Sequence, residues 1–212
     1  IQGYTESLLD KVVPPESTDT YLKMINSKAN VLTTLLSDLA QISDMSSQTM
    51  EYKFYEHNAS DIMQELIQQG EFHITASGHT VSTKINIVPY AVIIIDPQRI
   101  QQVISNLINN AVKYCGTDRT VYISIKKHHG KMRFEVTDHG MGIEPSELDN
   151  IWDRYYKAST NHVRATSGSG LGLSIVKSIL SLHNADFGVN SKLGQGSTFW
   201  FELNIAQKSD LR

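Results

Sequence analysis

Hydrophobic positions along the chain recur in two rhythms, helical at the start and mixed afterwards, and each rhythm predicts its own elements. In the opening stretch IQGYTESLLDKVV, Tyr4, Leu8 and Val12 repeat at helical spacing until Pro14 and Pro15 stop them. Capping side chains follow from Ser17 to Asp19, and Ile25, Leu32, Leu35, Leu39 and Ile42 then form an a/d seam that Lys28 interrupts. Two helices joined by a short proline-containing turn predict an antiparallel hairpin. Its seam is too long for one short partner to cover, which calls for a second copy of the chain.

The polar segment Ser43 to Gln48 marks a boundary, dividing a helical hairpin over 1–47 from a second domain over 48–212. Beyond it Tyr52 to His57 reads as a strand, and Asn58 caps a helix running to about Gln69 with Ile62, Leu66 and Ile67 inward. Val81 to Val88 and Ala91 to Ile95 read as strands around Pro89, after which Asp96 and Pro97 supply the N-cap and first position of a helix ending at Tyr114. Val121 to Lys126 and Met132 to Thr137 alternate as a hairpin about His129 and Gly130. Ser159 to Ser169 is a polar loop, Leu171 to Leu182 a helix, and Phe187 to Ser191 with Thr198 to Ile205 a closing hairpin. The predicted class is α+β: an α/β sandwich with a mixed sheet covered by helices on one face, preceded by the helical hairpin.

The helix from Gln98 to Tyr114 has an unusual polar face. Ile100, Ile104, Leu107, Ile108 and Ala111 collect on one side, and Gln102, Asn106, Asn109, Asn110 and Lys113 on the other. Asparagine costs roughly half a kcal/mol relative to alanine inside a helix, so a run of it calls for a reason. Asn106, Asn110 and Lys113 form one stripe able to face a bound anion and its metal, since amide oxygens suit Mg²⁺ and an ammonium suits phosphate. The competing reading is an ordinary solvated face.

Composition bounds the function classes. A formal net charge of −3 argues against a nucleic-acid partner, which needs a basic face. The single cysteine, Cys115, excludes a disulfide framework and a cysteine-based zinc site, and fits a reducing compartment. Ala91 to Ile95, the longest apolar run, is too short to cross a bilayer, and nothing near Ile1 reads as a targeting segment.

Two glycine-bearing motifs carry further chemistry. In Asp138-His139-Gly140-Met141-Gly142, an aspartate at the end of a strand can accept a hydrogen bond from an exocyclic amine, and the glycines let backbone approach a flat ring. A plain turn is the alternative. In Gly168-Ser169-Gly170-Leu171-Gly172-Leu173, glycines open a helix whose N-terminal N–H groups can receive phosphate. The alternative there is a flexible hinge. No Gly-Lys-Ser/Thr follows, as a Walker loop requires, and no strand precedes, as a Rossmann turn requires.

Taken in order, NLINNAVKY, DHGMGI, IWDRYYKAS, GSGLGLSIVK and GQGSTFWFEL resemble the N, G1, F, G2 and G3 boxes of sensor histidine kinases. These belong to the GHKL (Bergerat-fold) ATPases, with Hsp90, DNA gyrase and MutL. The resemblance covers roughly Asp96 to Leu203 and extends to the hairpin, which is similar to the family's dimerisation and histidine-phosphotransfer domain. It implies ATP and Mg²⁺ as ligands, with Asn110 on the metal and Asn106, Lys113 and Tyr114 at the ribose and triphosphate. It implies Asp138 on the adenine amine, helped by Gly140 and Gly142. Gly168, Gly170, Leu171 and Gly172 would hinge a lid and offer N–H groups to phosphate, Lys157 would contact phosphate as a point charge, and Ser197 and Thr198 would close the adenine side. Trp152 and Tyr155 stand where phenylalanines are usual, and His139 where asparagine is frequent, with a solvated side chain.

The resemblance further implies γ-phosphoryl transfer to a histidine and relay to the aspartate of a response-regulator receiver domain, in a cytoplasmic homodimer built on the hairpin. Membrane contact would come only through segments upstream. The acceptor pattern, like His-Glu-Leu-Arg-Thr-Pro, does not occur here. His57, His73, His79, His128, His129, His139, His162 and His183 all lie outside such a context, which places the expected acceptor upstream of Ile1. A nucleotide-sensing module, a MutL-like or Hsp90-like clamp and a dimerising scaffold remain as alternatives.

Overall fold

Two prolines divide the N-terminal helices. In the computed structural model, which describes residues 1–46, 52–86, 91–156 and 170–206, α1 spans Gln2–Leu9 and α2 spans Thr18–Ser46, with a 3₁₀ turn at Pro15–Ser17 between them. Pro15 suits the first position of that turn because its missing N–H needs no partner there. The Tyr4 and Tyr21 rings meet edge to face at 5.6 Å, joining α1 to α2. Along the seam Ile25 is half-buried and Leu32 exposed, whereas the side chains of Leu35, Leu39 and Ile42 lie outside the described residues. The chain falls into two compact units: these helices form one, and the described residues from Tyr52 onward form the other.

In the second unit, β1 (Tyr55–Asn58) pairs antiparallel with β3 (Val92–Ile95) as a small separate sheet. The main sheet contains β2 (Thr80–Asn86), β4 (Thr120–His128), β5 (Lys131–Asp138), β6 (Asp186–Lys192) and β7 (Gly196–Asn204), in the order β2-β4-β5-β7-β6. The β2–β4 pair is parallel and the others antiparallel, which makes the sheet mixed as expected. The β4–β5 hairpin turns through His129 (φ 47°) and Gly130 (φ 82°), the two consecutive positive φ values that a tight turn between right-twisted strands requires.

Helices α3 (Ala59–Ala76), α4 (Pro97–Tyr114) and α5 (Gly172–Leu182) pack on one sheet face. Val121, Ile123, Ile125, Met132, Phe134, Val136, Phe199, Phe201 and Leu203 alternate inward to meet them, with Phe134 stacked on Phe201 at 5.0 Å. The outer face is polar and covers itself. Arg133 bridges Glu135 (2.7 Å) and Glu202 (2.8 Å) while its guanidinium lies 4.0 Å over the Trp200 ring.

Two boundaries differ from the sequence expectation. Helix α3 continues past Gln69 to Ala76, because Gly70 serves contact with α4 rather than termination: a side chain there would overlap Ile108 Cδ1. Strand β1 begins at Tyr55 rather than Tyr52, because the preceding residues have other partners. Lys53 N–H donates to Asp96 Oδ2 (3.0 Å), Tyr52 stacks on Phe54, and Phe54 meets the His183 ring at 4.9 Å. Asp96 is the predicted N-cap of α4, accepting from Arg99 N–H (3.2 Å). Its own N–H donates to His183 Nε2 (3.1 Å), and His183 Nδ1 donates to Ile179 carbonyl oxygen (2.8 Å). That pattern needs a neutral imidazole, and burial lowers the His183 pKa accordingly.

Candidate functional site

The polar stripe of α4 is not uniform. Asn109 is exposed like a solvated residue, but Asn106, Asn110 and Lys113 are half-buried on the flank above the core positions Val103, Leu107 and Ala111. Lys113 Nζ lies over the exposed Tyr114 ring, 4.7 Å from its centre, so cation and aromatic face stand together at the C-terminal end of the helix. Opposite Asn106 comes Gly172, where an added Cβ would sit 3.4 Å from Asn106 Oδ1. The start of α5 is thereby brought against the asparagine helix, joining residues 66 positions apart that sequence alone left side by side only by analogy.

Asp138 is 4 % exposed at the end of β5, inside the core face of the sheet. Its Oδ1 accepts from Gly140 N–H (2.8 Å), and Ser197, opposite it on β7, contributes a second backbone hydrogen bond. Burial nevertheless raises its pKa from 3.8 to about 6. Such a carboxylate has unspent acceptor capacity, which an amine donor on a flat ring can use.

The walls around Asp138 are main chain. A side chain at Gly140 would collide with the Tyr114 carbonyl, one at Gly116 with the His139 carbonyl, and one at Gly196 with the Asp138 carbonyl. Gly142, at φ 70°, lies as closely on Lys192. The turn bearing Asp138 is therefore held between the segment after α4 and the β6–β7 hairpin, with no room for a Cβ on three sides. Gly194-N–H donates to the Met141 carbonyl (2.6 Å), closing the hairpin onto the same turn.

Ser197 faces inward with Asp138; its hydroxyl bonds that of Ser191 (2.9 Å), which in turn accepts from Ile143 N–H (2.8 Å). Thr198 is on the other face of β7, its hydroxyl 2.9 Å from that of Thr137. Gly170, at φ 73°, is wedged on Tyr155 and Tyr156 and its carbonyl accepts from Tyr155 N–H (2.9 Å), while Leu171 is buried beside it. Trp152 packs edge-on against Phe187 (5.0 Å) and Phe199 (6.0 Å), so the aromatic box anchors this loop to the sheet. Lys157 and Gly168 lie outside the described residues.

The donor set fits a nucleotide that brings its own metal ligands. Among the described residues there is no group of three or more His, Cys, Asp or Glu able to hold an ion. A single amide oxygen suits Mg²⁺, which takes few protein ligands when substrate phosphates supply others. Two features escaped the sequence reading. Gly116 is a pocket wall that the sequence reading did not single out, and His139, solvent-exposed as expected, is also paired with Asp118 (2.9 Å).

The sandwich and this pocket together define the catalytic fold of the GHKL class. The chain belongs to the histidine kinase-, DNA gyrase B- and HSP90-like ATPase family, whose model matches residues 95–207. It is 28% identical over 204 residues to the sensor protein SrrB of Staphylococcus aureus, covering 96% of this chain and 35% of SrrB. The chain thus spans about a third of the length of that curated relative. Two solved structures share the fold: full-length ShkA in complex with AMPPNP (TM-score 0.72, 22% identity, 96% of this chain and 42% of that one) and the histidine kinase ThkA in complex with the response regulator TrrA (TM-score 0.73, 21% identity, 97% and 56%). Among the described residues no helix is long and apolar enough to cross a membrane.

Proposed function

We propose that this chain is the ATP-binding catalytic part of a sensor histidine kinase, which transfers the γ-phosphoryl group of Mg·ATP to a histidine for relay to an aspartate of a response-regulator receiver domain. The observation that carries the reading is the buried Asp138, 4 % exposed yet with acceptor capacity left over, in a turn that packs backbone to backbone at Gly116, Gly140 and Gly196. Asp138 accepts the adenine amine, and a guanine carbonyl at that edge is repelled. Asn106 and Lys113 orient the triphosphate, Asn110 gives its amide oxygen to Mg²⁺, and the N–H groups at Gly170 to Gly172 receive phosphate. Lys157, Gly168 and Tyr114 complete the phosphate and ribose contacts in this reading. Mg²⁺ when bound neutralises charge on the phosphates.

In the transfer, an imidazole nitrogen forms a bond to the γ-phosphorus as the bond to the β–γ bridging oxygen breaks. ADP carries away the electron pair, and the imidazole proton passes to solvent. The protein's share is positioning and charge stabilisation, so the catalytic domain needs no acid–base dyad. The acceptor is a histidine on the helical bundle other than the eight in this sequence, and the hairpin of α1 and α2 is the homodimer contact, in the cytoplasm. ThkA, solved with a response regulator, and ShkA, solved with AMPPNP, support the choice of partner and nucleotide.

The test has two parts. Calorimetry with Mg·ATP and Mg·GTP is expected to show binding of the first only; equal affinities refute the adenine assignment. Incubation with labelled ATP is expected to leave the 212-residue chain without acid-labile phosphohistidine. The same chain extended upstream through the preceding bundle helix becomes labelled, and Asn110→Ala abolishes the label. Robust labelling of the short chain refutes the placement of the acceptor, and an extended chain that binds ATP but stays unlabelled favours a nucleotide-sensing module.

A further inference from the structure

The residue that follows Asp138 is exposed, yet a neighbouring loop holds its side chain. His139 Nδ1 lies 2.9 Å from Asp118 Oδ2, and its ring lies 4.8 Å from that of Tyr122 on β4. The other oxygen of Asp118 accepts from Thr120 N–H (3.3 Å), and Arg119 N–H closes the turn by donating to the Gly116 carbonyl (3.1 Å). Asp118 is thus fixed at the end of the loop that leaves α4 and enters β4. From there it holds the side chain of a residue whose carbonyl is packed on Gly116 of the same loop. The two segments touch through backbone at Gly116 and Gly140 and through side chains at Asp118 and His139. Asp138 stands between these contacts.

We propose that Asp118 and His139 form a hydrogen-bonded clamp that fastens the loop after α4 to the turn carrying Asp138, making His139 a positioning residue for nucleotide recognition. The inference rests on the reading of Asp138 as the adenine acceptor. An imidazolium opposite Asp118 holds the clamp by charge as well as by hydrogen bond; a neutral imidazole keeps only the hydrogen bond, and only in the tautomer protonated at Nδ1. The charged groups near the pair are few. Asp138 faces His139, Asp118 and the Cys115 thiol, and His139 faces Asp118, Asp138 and the Tyr122 phenol. The Arg119 guanidinium is directed towards Gly78 instead. The His139 hydrogen bond holds the Asp118 carboxyl below its ordinary value. A cation at His139 also favours ionised Asp138, and the Asp118 carboxylate opposes it.

The effect on affinity is small because both partners are partly exposed: roughly two- to fivefold, the range of a solvent-accessible ion pair. Mg·ATP affinity of the 212-residue chain is measured by calorimetry at one pH, together with melting temperature, for the parent, His139→Ala, Asp118→Ala, the double variant and His139→Gln. Each alanine variant is expected to bind more weakly than the parent by that factor, and the double variant no more weakly than either. His139→Gln, whose amide N–H can donate to Asp118, restores the affinity. A merely structural role lowers the melting temperature without rescue by His139→Gln. Parent-like affinities in both alanine variants, or losses that add in the double variant, overturn the clamp while leaving the pocket intact. Absence of ATP binding in every form, the parent included, overturns the pocket reading, and the clamp's role with it.

Discussion

Asp138→Asn is expected to stabilise the protein in the absence of nucleotide while weakening its binding. The carboxyl is held at about 6 in the folded chain against 3.8 for the free group, with burial the leading cause. Well below pH 3.8 the group is protonated in both folded and unfolded chains and burial carries no charge. As pH rises through the folded value, the native state must hold a buried carboxylate that the unfolded chain would hold in water. Stability is therefore lost between about pH 4 and 6 and stays low above. The full displacement corresponds to about 3 kcal/mol at neutral pH. Solvent entering the open mouth of the pocket reduces this, and about 1–2 kcal/mol is the figure to test.

Asparagine keeps an oxygen for Gly140 N–H and carries no charge, so at pH 7.5 Asp138→Asn should melt roughly 2–8 °C higher than the parent. The difference should shrink as pH falls and vanish well below pH 3.8. Mg·ATP affinity should fall roughly ten- to hundredfold, as expected for a lost hydrogen bond to a charged acceptor. Thermal melts across pH, paired with calorimetry, read both effects. A variant that melts lower than the parent at neutral pH, or by a margin that ignores pH, would show that Asp138 is a structural anchor and that its burial is already compensated.

Asn110→Ala should leave the nucleotide-free melting temperature unchanged or raise it, since alanine gains roughly half a kcal/mol in the helix. It should remove most Mg²⁺-dependent ATP affinity; unfolding with residual affinity intact would make Asn110 structural. Gly70→Ala should destabilise by about 1–2 kcal/mol because the new methyl overlaps Ile108 Cδ1. Ile108→Val, which deletes that carbon, should recover most of the loss in chemical denaturation, whereas additive costs would mean the two helices already accommodate the methyl. His183→Phe should lower stability by about 1–3 kcal/mol by leaving Asp96 N–H without its acceptor. His183→Gln, which offers an oxygen, should cost less; equal costs would point to ring packing on Phe54 rather than the hydrogen bond.

The elements that declared themselves in sequence were those whose pattern and punctuation agree. Asp96 and Pro97 opened α4 as N-cap and first position, Asn58 capped α3 through its side chain, and His129-Gly130 made the β4–β5 turn. The places where the reading fell short share a physical reason. Gly70 resembles a helix stop when only the local chain is considered, and its role is visible only once Ile108 from another helix lies across it. Tyr52 to Phe54 has strand-like residues, but Asp96 and His183 claim its backbone and rings.

In the site, the placement of Asn106 and Asn110 on one flank of α4 and of Asp138 at the end of a strand was legible directly. Thr198 could not be separated from Ser197 without the register of β7 against β5, which sends one inward to Asp138 and the other outward to Thr137. The Asp118–His139 pair was invisible for a similar reason, since 21 residues separate partners that only the β4–β5 hairpin brings together.

The collar of backbone around Asp138 has a consequence for how this pocket can change over generations. A ligand that leans on side chains can be escaped by exchanging one of them. Here Gly116, Gly140 and Gly196 present peptide groups, and any other residue at those positions strikes a carbonyl oxygen rather than reshaping the cavity. An inhibitor that filled the space over Asp138 and touched little besides main chain would leave the protein few single-codon routes to resistance. The most accessible lie at the rim, where His139, Tyr114 and Lys113 can vary without forcing two backbones apart.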